Sequence, residues 1–296
     1  MLILVLSMGF LMYLLIRPGL ALPPGSGLSP VGFWLLVAAV LFIAMGGYVI
    51  NDLKDLPADI INKPGKNVFE KVFSEKQGRG FYWIFTVAGV VSGSLLSLLY
   101  GHVAFSLIFV FTAGLLWFYA ARYQCQVLTG NLVVAFLSAL SFGLVWVYEV
   151  VALQMQHASV DPVRLYLVNN LVLTYMGFAF LVSLLREVVK DVEDAKGDRE
   201  TGCLTLPVAH GIKKARNVAV AVNLLGLAGA FAIQWLFYRW HFMVLFLWFF
   251  FVDGLFAFVL FRLVRASEAK HWQLISLWVK WLMVAGILSM GLFYFE

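Results

Sequence analysis

The sequence predicts an all-α, polytopic membrane protein: a helical bundle of about nine transmembrane helices with two cytoplasmic Asp-rich motif loops. Three observations predict it. Of 296 residues, 62% are apolar and only 12% are charged, about half the charge of a soluble globular domain. Apolar runs close to the ~20 residues that cross a bilayer as a helix recur along the whole chain. Once those runs are counted as spans, the basic residues fall almost entirely on one side.

The first run, 1–17, is short. No Lys or Arg precedes it and no small-x-small cleavage site follows, so it reads as a first helix rather than a signal peptide. The second and third runs, 31–50 and 80–100, flank a long polar stretch rich in Asp and Lys. The fourth, 102–121, ends at Arg122, and the fifth, 131–153, starts just after Gly130. The sixth, 165–185, leads into a second acidic stretch, and the seventh, 215–238, follows a basic one. The eighth and ninth, 241–262 and 272–294, are joined by a short basic connection. The runs are continuous rather than alternating, which argues against a membrane barrel. Helices satisfy their own backbone groups where lipid cannot. The whole of 1–296 reads as one domain, without a soluble or low-complexity segment.

Seventeen of the 21 Lys and Arg residues fall on the side that receives the two long connections, and three (Arg17, Arg164, Arg239) on the other. Lys280 lies inside the last span. Basic residues mark the cytoplasmic side, so both acidic stretches are expected to face the cytoplasm. The +5 net charge is then a matter of topology, and nucleic acid is not an expected partner. Cys125 and Cys203 are both placed near the cytoplasmic side, where thiols are normally kept reduced, so no disulfide is expected.

The chemistry lies in two acidic clusters. Asn51, Asp55 and Asp59 occur in GGYVINDLKDLPADIINKPGKN, and Asp191, Asp194 and Asp198 in REVVKDVEDAKGDRETG. Spacings of i, i+4, i+8 and i, i+3, i+7 put each trio on one helix face. Pro57 is expected to kink or loosen the first. Carboxylates beside hydrocarbon are costly and are usually functional. A single such cluster is more simply read as solvated loop charge. Two at equivalent places, each with flanking cations, point instead to a divalent metal held through oxygens, with positions left for phosphate. Lys63, Lys190 and Arg199 are candidates for the remaining phosphate oxygens. Lys54, Lys66 and Lys71 read as topogenic or lipid-headgroup charges. Asp52 and Glu193 have a different helical phase and are expected to face solvent or a neighbour.

These motifs resemble those of the UbiA superfamily of intramembrane prenyltransferases. The first matches NDxxDxxxD, followed by IINKP where an N-[RK]-P turn is usual. The second matches KDxxDxxGD and is followed by GCLTLPVAHG. That tail is most similar to geranylgeranylglycerol-phosphate geranylgeranyltransferases. The resemblance implies that Asn51, Asp55 and Asp59 bind a diphosphate through Mg²⁺, that Asp191, Asp194 and Asp198 complete the metal site, and that Lys190 contacts the diphosphate. It implies Mg²⁺-dependent transfer of a prenyl group from a prenyl diphosphate, best matched to geranylgeranyl diphosphate, onto a membrane-embedded lipid acceptor such as geranylgeranylglyceryl phosphate. An aromatic acceptor of the quinone, tocopherol or chlorophyll type is the alternative. Two departures stand out. The family's Arg- and Pro-Asn-bearing segment before the first helix is not seen, and YAARYQCQVLTGN keeps only Arg122 as a basic phosphate contact. Asn131 matches the family's GN and either borders the pocket or caps a helix.

Other polar residues have plainer readings. Asp253 and Lys280 are expected to form a structural ion pair between the last two spans. Glu149 is expected to reach the far interface. The five histidines sit at span ends, too scattered for a metal cage. Trp117, Tyr119, Tyr238 and Trp240 read as interface anchors. Tyr48 and Tyr175 are candidates to line the pocket and face a cation with their rings, although core packing is the expected role for each taken singly. A divalent-ion transporter is the rival of another class. It would need polar residues along a path through the membrane, and the spans have almost none. The expected location is a bacterial or archaeal cell membrane with the site facing the cytoplasm, and no obligate protein partner is expected.

Overall fold

The computed structural model describes residues 1–62, 64–65 and 67–296, apart from the side chains of 70, 71 and 269. Among the described residues every regular element is helical. Among the described residues nine helices are long and apolar enough to cross a membrane. They are α1 (Leu2–Leu20), α2 (Pro30–Asn62), α3 (Glu75–Leu99), α4 (Val103–Ala121), α5 (Thr129–Met155), α6 (Pro162–Glu200), α7 (Ile212–Arg239), α8 (Met243–Arg265) and α9 (Lys270–Phe295). The protein is a multi-pass integral membrane protein. Its outer surface carries large apolar side chains such as Trp34, Val87, Leu98, Leu225 and Phe250, because its solvent there is hydrocarbon.

The acidic motifs are not in loops, as the sequence had implied. Both belong to helices that outrun the bilayer: α2 has 33 residues and α6 has 39. At 1.5 Å per residue each is far longer than the ~30 Å hydrocarbon layer. The extra turns lift the carboxylates beyond the apolar run while keeping helical phase. Pro57 sits inside α2 without ending it. It only removes the bond from its own missing N–H to the carbonyl one turn back.

Two large parts make up most of the buried core, and α6 belongs to both; a small third part packs Ile50, Tyr82 and Ala120. One part joins α1, α2, α4 and α5 to the first half of α6, through residues such as Met8, Leu36, Phe109, Tyr148 and Val172. The other joins the second half of α6 to α7, α8 and α9, through Val188, Ala219, Val259 and Ile275. The central helix therefore ties the two packed groups together and carries its motif at its C-terminal end.

Two expectations about buried charge are corrected. Glu149 does not reach an interface. It is fully buried, and its Oε2 accepts from the backbone N–H of Leu28 at 2.8 Å. Beside it Gln156 exchanges two hydrogen bonds with the backbone of Gly27 (2.8 and 3.0 Å), and Arg17 donates to the Leu28 carbonyl. Gly27 has φ +78°, and a Cβ there would lie 2.1 Å from Glu149 Oε1. Both its conformation and its space demand glycine. Asp253 and Lys280 do not form an ion pair among the described residues. Asp253 is buried with neither carboxylate oxygen hydrogen-bonded, whereas Lys280 faces the central chamber.

Candidate active site

The ends of α2 and α6 are fastened together by one side chain. Asn62 Nδ2 donates to the carbonyl of Asp194 (2.9 Å), and its Oδ1 accepts from the N–H of Gly197 (2.8 Å). A Cβ on Gly197 would lie 2.4 Å from Asn62 Nδ2 and 2.7 Å from the Ala58 carbonyl. Glycine is needed here for close approach of the two motif helices.

This contact gathers the motif carboxylates around one opening. Asp55, Asp59, Asp191, Asp194 and Asp198 all line it, with Asn62, Lys190, Tyr119, Gln124, Cys203 and Thr205. Its cavity volume is about 50 Å³. Four of the carboxylates are each held by a neutral donor. Asn51 Nδ2 donates to Asp55 Oδ2 (2.6 Å), and Asn67 Nδ2 to Asp59 Oδ2 (2.9 Å). Asn131 Nδ2 donates to Asp191 Oδ2 (2.9 Å), and Thr205 Oγ1 to Asp198 Oδ2 (3.0 Å). Amides and hydroxyls orient a carboxylate without cancelling its charge, as outer-shell partners of metal ligands do.

Below the mouth lies a larger chamber of about 470 Å³. Its wall is mainly apolar, with Val40, Ile43, Phe109, Leu116, Phe178 and Val252 among its residues. Tyr48 and Tyr175 both line it, and so does Asn51. Two side chains, Tyr119 and Lys190, line both cavities. They mark a neck where a charged compartment opens into an apolar one. Lys190 there lies within electrostatic reach of Glu187, Tyr119, Asp55 and Asp194.

The donor set suits a hard cation. All five mouth carboxylates offer oxygen, and Oδ1 of Asn51 and Oε1 of Gln124 are buried without a hydrogen-bond partner. Among the described residues no three His, Cys, Asp or Glu side chains are grouped closely enough to hold a metal ion by themselves. Mg²⁺ typically uses one or two carboxylates and completes its shell with water and substrate phosphate. The mouth fits that open arrangement.

Several sequence readings change. Cys125 and Cys203 are joined by a disulfide, with Cα atoms 4.6 Å apart. The redox argument addressed compartment, not proximity. The segment after α4 and the segment after α6, 78 residues apart in sequence, fold over the same mouth. Arg122 and Arg199 are exposed and line neither cavity. Arg199 follows Asp198 by one residue and so points about a quarter-turn or more away from it, while the short turn after Arg122 presents Gln124 instead. Lys63 lies outside the described residues. Tyr119 is part of the neck rather than an interface anchor. Asn131 is not a helix cap, since the residue before α5 is Leu128, at φ +59°. Asn62, Asn67, Thr205, Gln124 and Glu187 were passed over. The only sequence signal for them was position within or beside the motifs.

The profile of the UbiA prenyltransferase family matches residues 11–284. This chain belongs to the UbiA prenyltransferase family. It is 33% identical over 193 residues to a digeranylgeranylglyceryl phosphate synthase from Methanothermobacter thermautotrophicus, covering 64% of this chain and 60% of that protein. The chain thus spans about three fifths of the length of the curated relatives it matches. Among solved structures, a UbiA homologue from Aeropyrum pernix K1 superposes with TM-score 0.66 at 16% identity, covering 96% of both chains. A UbiA homologue from Archaeoglobus fulgidus bound to DMAPP and Mg²⁺ superposes with TM-score 0.58 at 13% identity, covering 98% of both. At those identities the likeness is one of UbiA fold.

Proposed function

We propose that this UbiA-family chain transfers a prenyl group from a prenyl diphosphate to a hydroxyl of a membrane-embedded acceptor, with Mg²⁺ at the acidic mouth. The observation that carries this reading is the shared neck. Tyr119 and Lys190 border both the carboxylate mouth and the apolar chamber. A molecule with a diphosphate head and a long hydrocarbon tail matches those two compartments, with its C1–O bond at the neck.

When bound, Mg²⁺ would neutralise charge on the diphosphate as it leaves. Asp55, Asp59, Asp191, Asp194 and Asp198 would hold it, together with Asn51 Oδ1. Lys190 meets diphosphate oxygens from below and stabilises the charge that develops on the leaving group. The C1–O bond to diphosphate breaks, the acceptor oxygen bonds to C1, and the acceptor's hydroxyl proton is released. The apolar chamber keeps water from the allylic cation and holds the acceptor close to it. The cytoplasm is the expected side of the mouth, because the basic residues flank it.

The glycerol-type acceptor is favoured by the names of the curated relatives. In detergent, purified protein with Mg²⁺ and radiolabelled geranylgeranyl diphosphate is expected to label geranylgeranylglyceryl phosphate and not 4-hydroxybenzoate. Labelling of 4-hydroxybenzoate alone would move the acceptor to the aromatic class. No Mg²⁺-dependent consumption of any prenyl diphosphate by folded protein would overturn the transfer reading.

A further inference from the structure

The chamber wall is mainly apolar, and it carries a set of charged side chains that the mouth does not share, Arg186, Glu187 and Lys280. Arg186 and Lys280 both line it. Their relative depth follows from a side-chain pin between α6 and α9, which run in opposite directions. Tyr175 and Ser289 share a hydrogen bond between hydroxyls at 2.7 Å. Nine residues toward the mouth from Ser289 is Lys280, and nine from Tyr175 on α6 is Leu184. Lys280 therefore lies within about a turn of the level of Arg186, and about 9 Å below Lys190 at 1.5 Å per residue.

The two cations differ: Lys280 is exposed, and Arg186 is half-buried with one counter-ion. Lys280 makes no ion pair among the described residues. A second pin, from Trp248 Nε1 to the Ala285 carbonyl (3.2 Å), puts Asp253 of α8 near the same depth, yet Asp253 does not line the chamber. Arg186 pairs through Nη1 with Glu187 Oε1. The rest of its planar five-donor fork is not used by that bond. A cation set among hydrocarbon without a contacting counter-ion is costly, and such residues mark substrate paths.

We propose that Arg186 and Lys280 form a second anion site, on the chamber side of the neck, that holds the anionic head of the acceptor. This rests on the transfer reading above and specifies its acceptor. The ligand chemistry is an oxyanion, phosphate or carboxylate, carried close to the nucleophilic hydroxyl. An anion held about 9 Å below Lys190 leaves that hydroxyl free to approach C1 at the neck. The site makes acceptor charge a requirement, separate from recognition of the diphosphate.

The test is Lys280→Met, which keeps length and suits the chamber, with Lys280→Arg as the conservative variant. Radiolabelled geranylgeranylglyceryl phosphate is bound at equilibrium in detergent without prenyl diphosphate or Mg²⁺, so the result does not depend on transfer. Lys280→Met is expected to weaken binding about tenfold or more, and Lys280→Arg to restore it. Binding of geranylgeranylglycerol, which lacks the phosphate, is expected to be weak and the same in all three proteins. In turnover, KM for the phosphorylated acceptor is expected to rise while KM for prenyl diphosphate stays within about twofold. 4-Hydroxybenzoate in place of the phosphorylated acceptor tells whether a carboxylate serves equally. Unchanged binding of the phosphorylated acceptor in Lys280→Met overturns the proposal. So does equal weakening of the phosphorylated and unphosphorylated acceptors, or a loss of thermal stability alone. Failure of transfer by the wild type, with phosphate-dependent binding intact, would count against the transfer reading and not against this site.

Discussion

Carboxylates that accept hydrogen bonds occur at both ends of this bundle, fully buried in Glu149 and half-buried at the mouth, and the two ends treat them differently. At the far end Glu149 accepts from a backbone N–H and sits beside Arg17 and the Gln156–Gly27 pair. Its surroundings close a loop. At the mouth, Asp55, Asp59, Asp191 and Asp198 are held by Asn51, Asn67, Asn131 and Thr205, and all four line an open cavity. The structural carboxylate is the fully buried one, and the mouth carboxylates keep part of their surface open. The distinction lies in neutral side-chain donors that aim the group while leaving its charge to a ligand, and in space in front of it.

The comparison can be broken most forcefully at the mouth. Asp191→Ala, or Asp55→Ala, is expected to lower turnover by at least about 10²–10³-fold while the protein stays folded in detergent. Prenyl transfer and thermal unfolding measured on one preparation decide it, and near-normal turnover would remove these residues from the site. Asn131→Ala tests aim rather than charge. It is expected to cost about 10–100-fold in activity or Mg²⁺ affinity, visible as a raised Mg²⁺ requirement in the transfer assay. An unchanged Mg²⁺ dependence would mean that the Asn131–Asp191 bond orients nothing that matters. At the far end, Glu149→Leu is expected to leave the Leu28 N–H buried and unpaired, at a cost of about 1–3 kcal/mol. That should appear as a lower unfolding temperature with kcat little changed. A large loss of kcat there would mean the two ends are not the separate devices described here.

How much of this was legible in the sequence depends on distance along the chain. Asn51, Asp55 and Asp59 could be assigned to one face because four-residue spacing on a helix fixes their phase. The same holds for Asp191, Asp194 and Asp198. Lys190 was legible from its place beside the second motif. The helical state of both motifs was underweighted because polar composition reads as loop, although Pro57 and Gly197 were the only breakers between the apolar runs and the last Asp of each motif. Arg122 and Arg199 were chosen for charge, and the structure turns both outward. Tyr119 was assigned by its position near a span end, where aromatic residues usually anchor. Its role at the neck depends on which way α4 is rotated, and no local pattern reports that.

The sequence by itself determined the membrane environment, the succession of spans, the sidedness of the charge and the two acidic faces. Each follows from composition or from spacing within a few turns, where helical geometry leaves one answer. Only the tertiary structure decided that Asn62 would join Asp194 to the end of α2 across 132 residues, that Asn131 would hold Asp191 across 60, and that Cys125 would meet Cys203 across 78. It also decided that Lys280 would face the chamber while Asp253 does not. Those outcomes depend on how whole helices rotate and shift to pack their apolar faces, and that is a property of all the contacts together rather than of any one stretch.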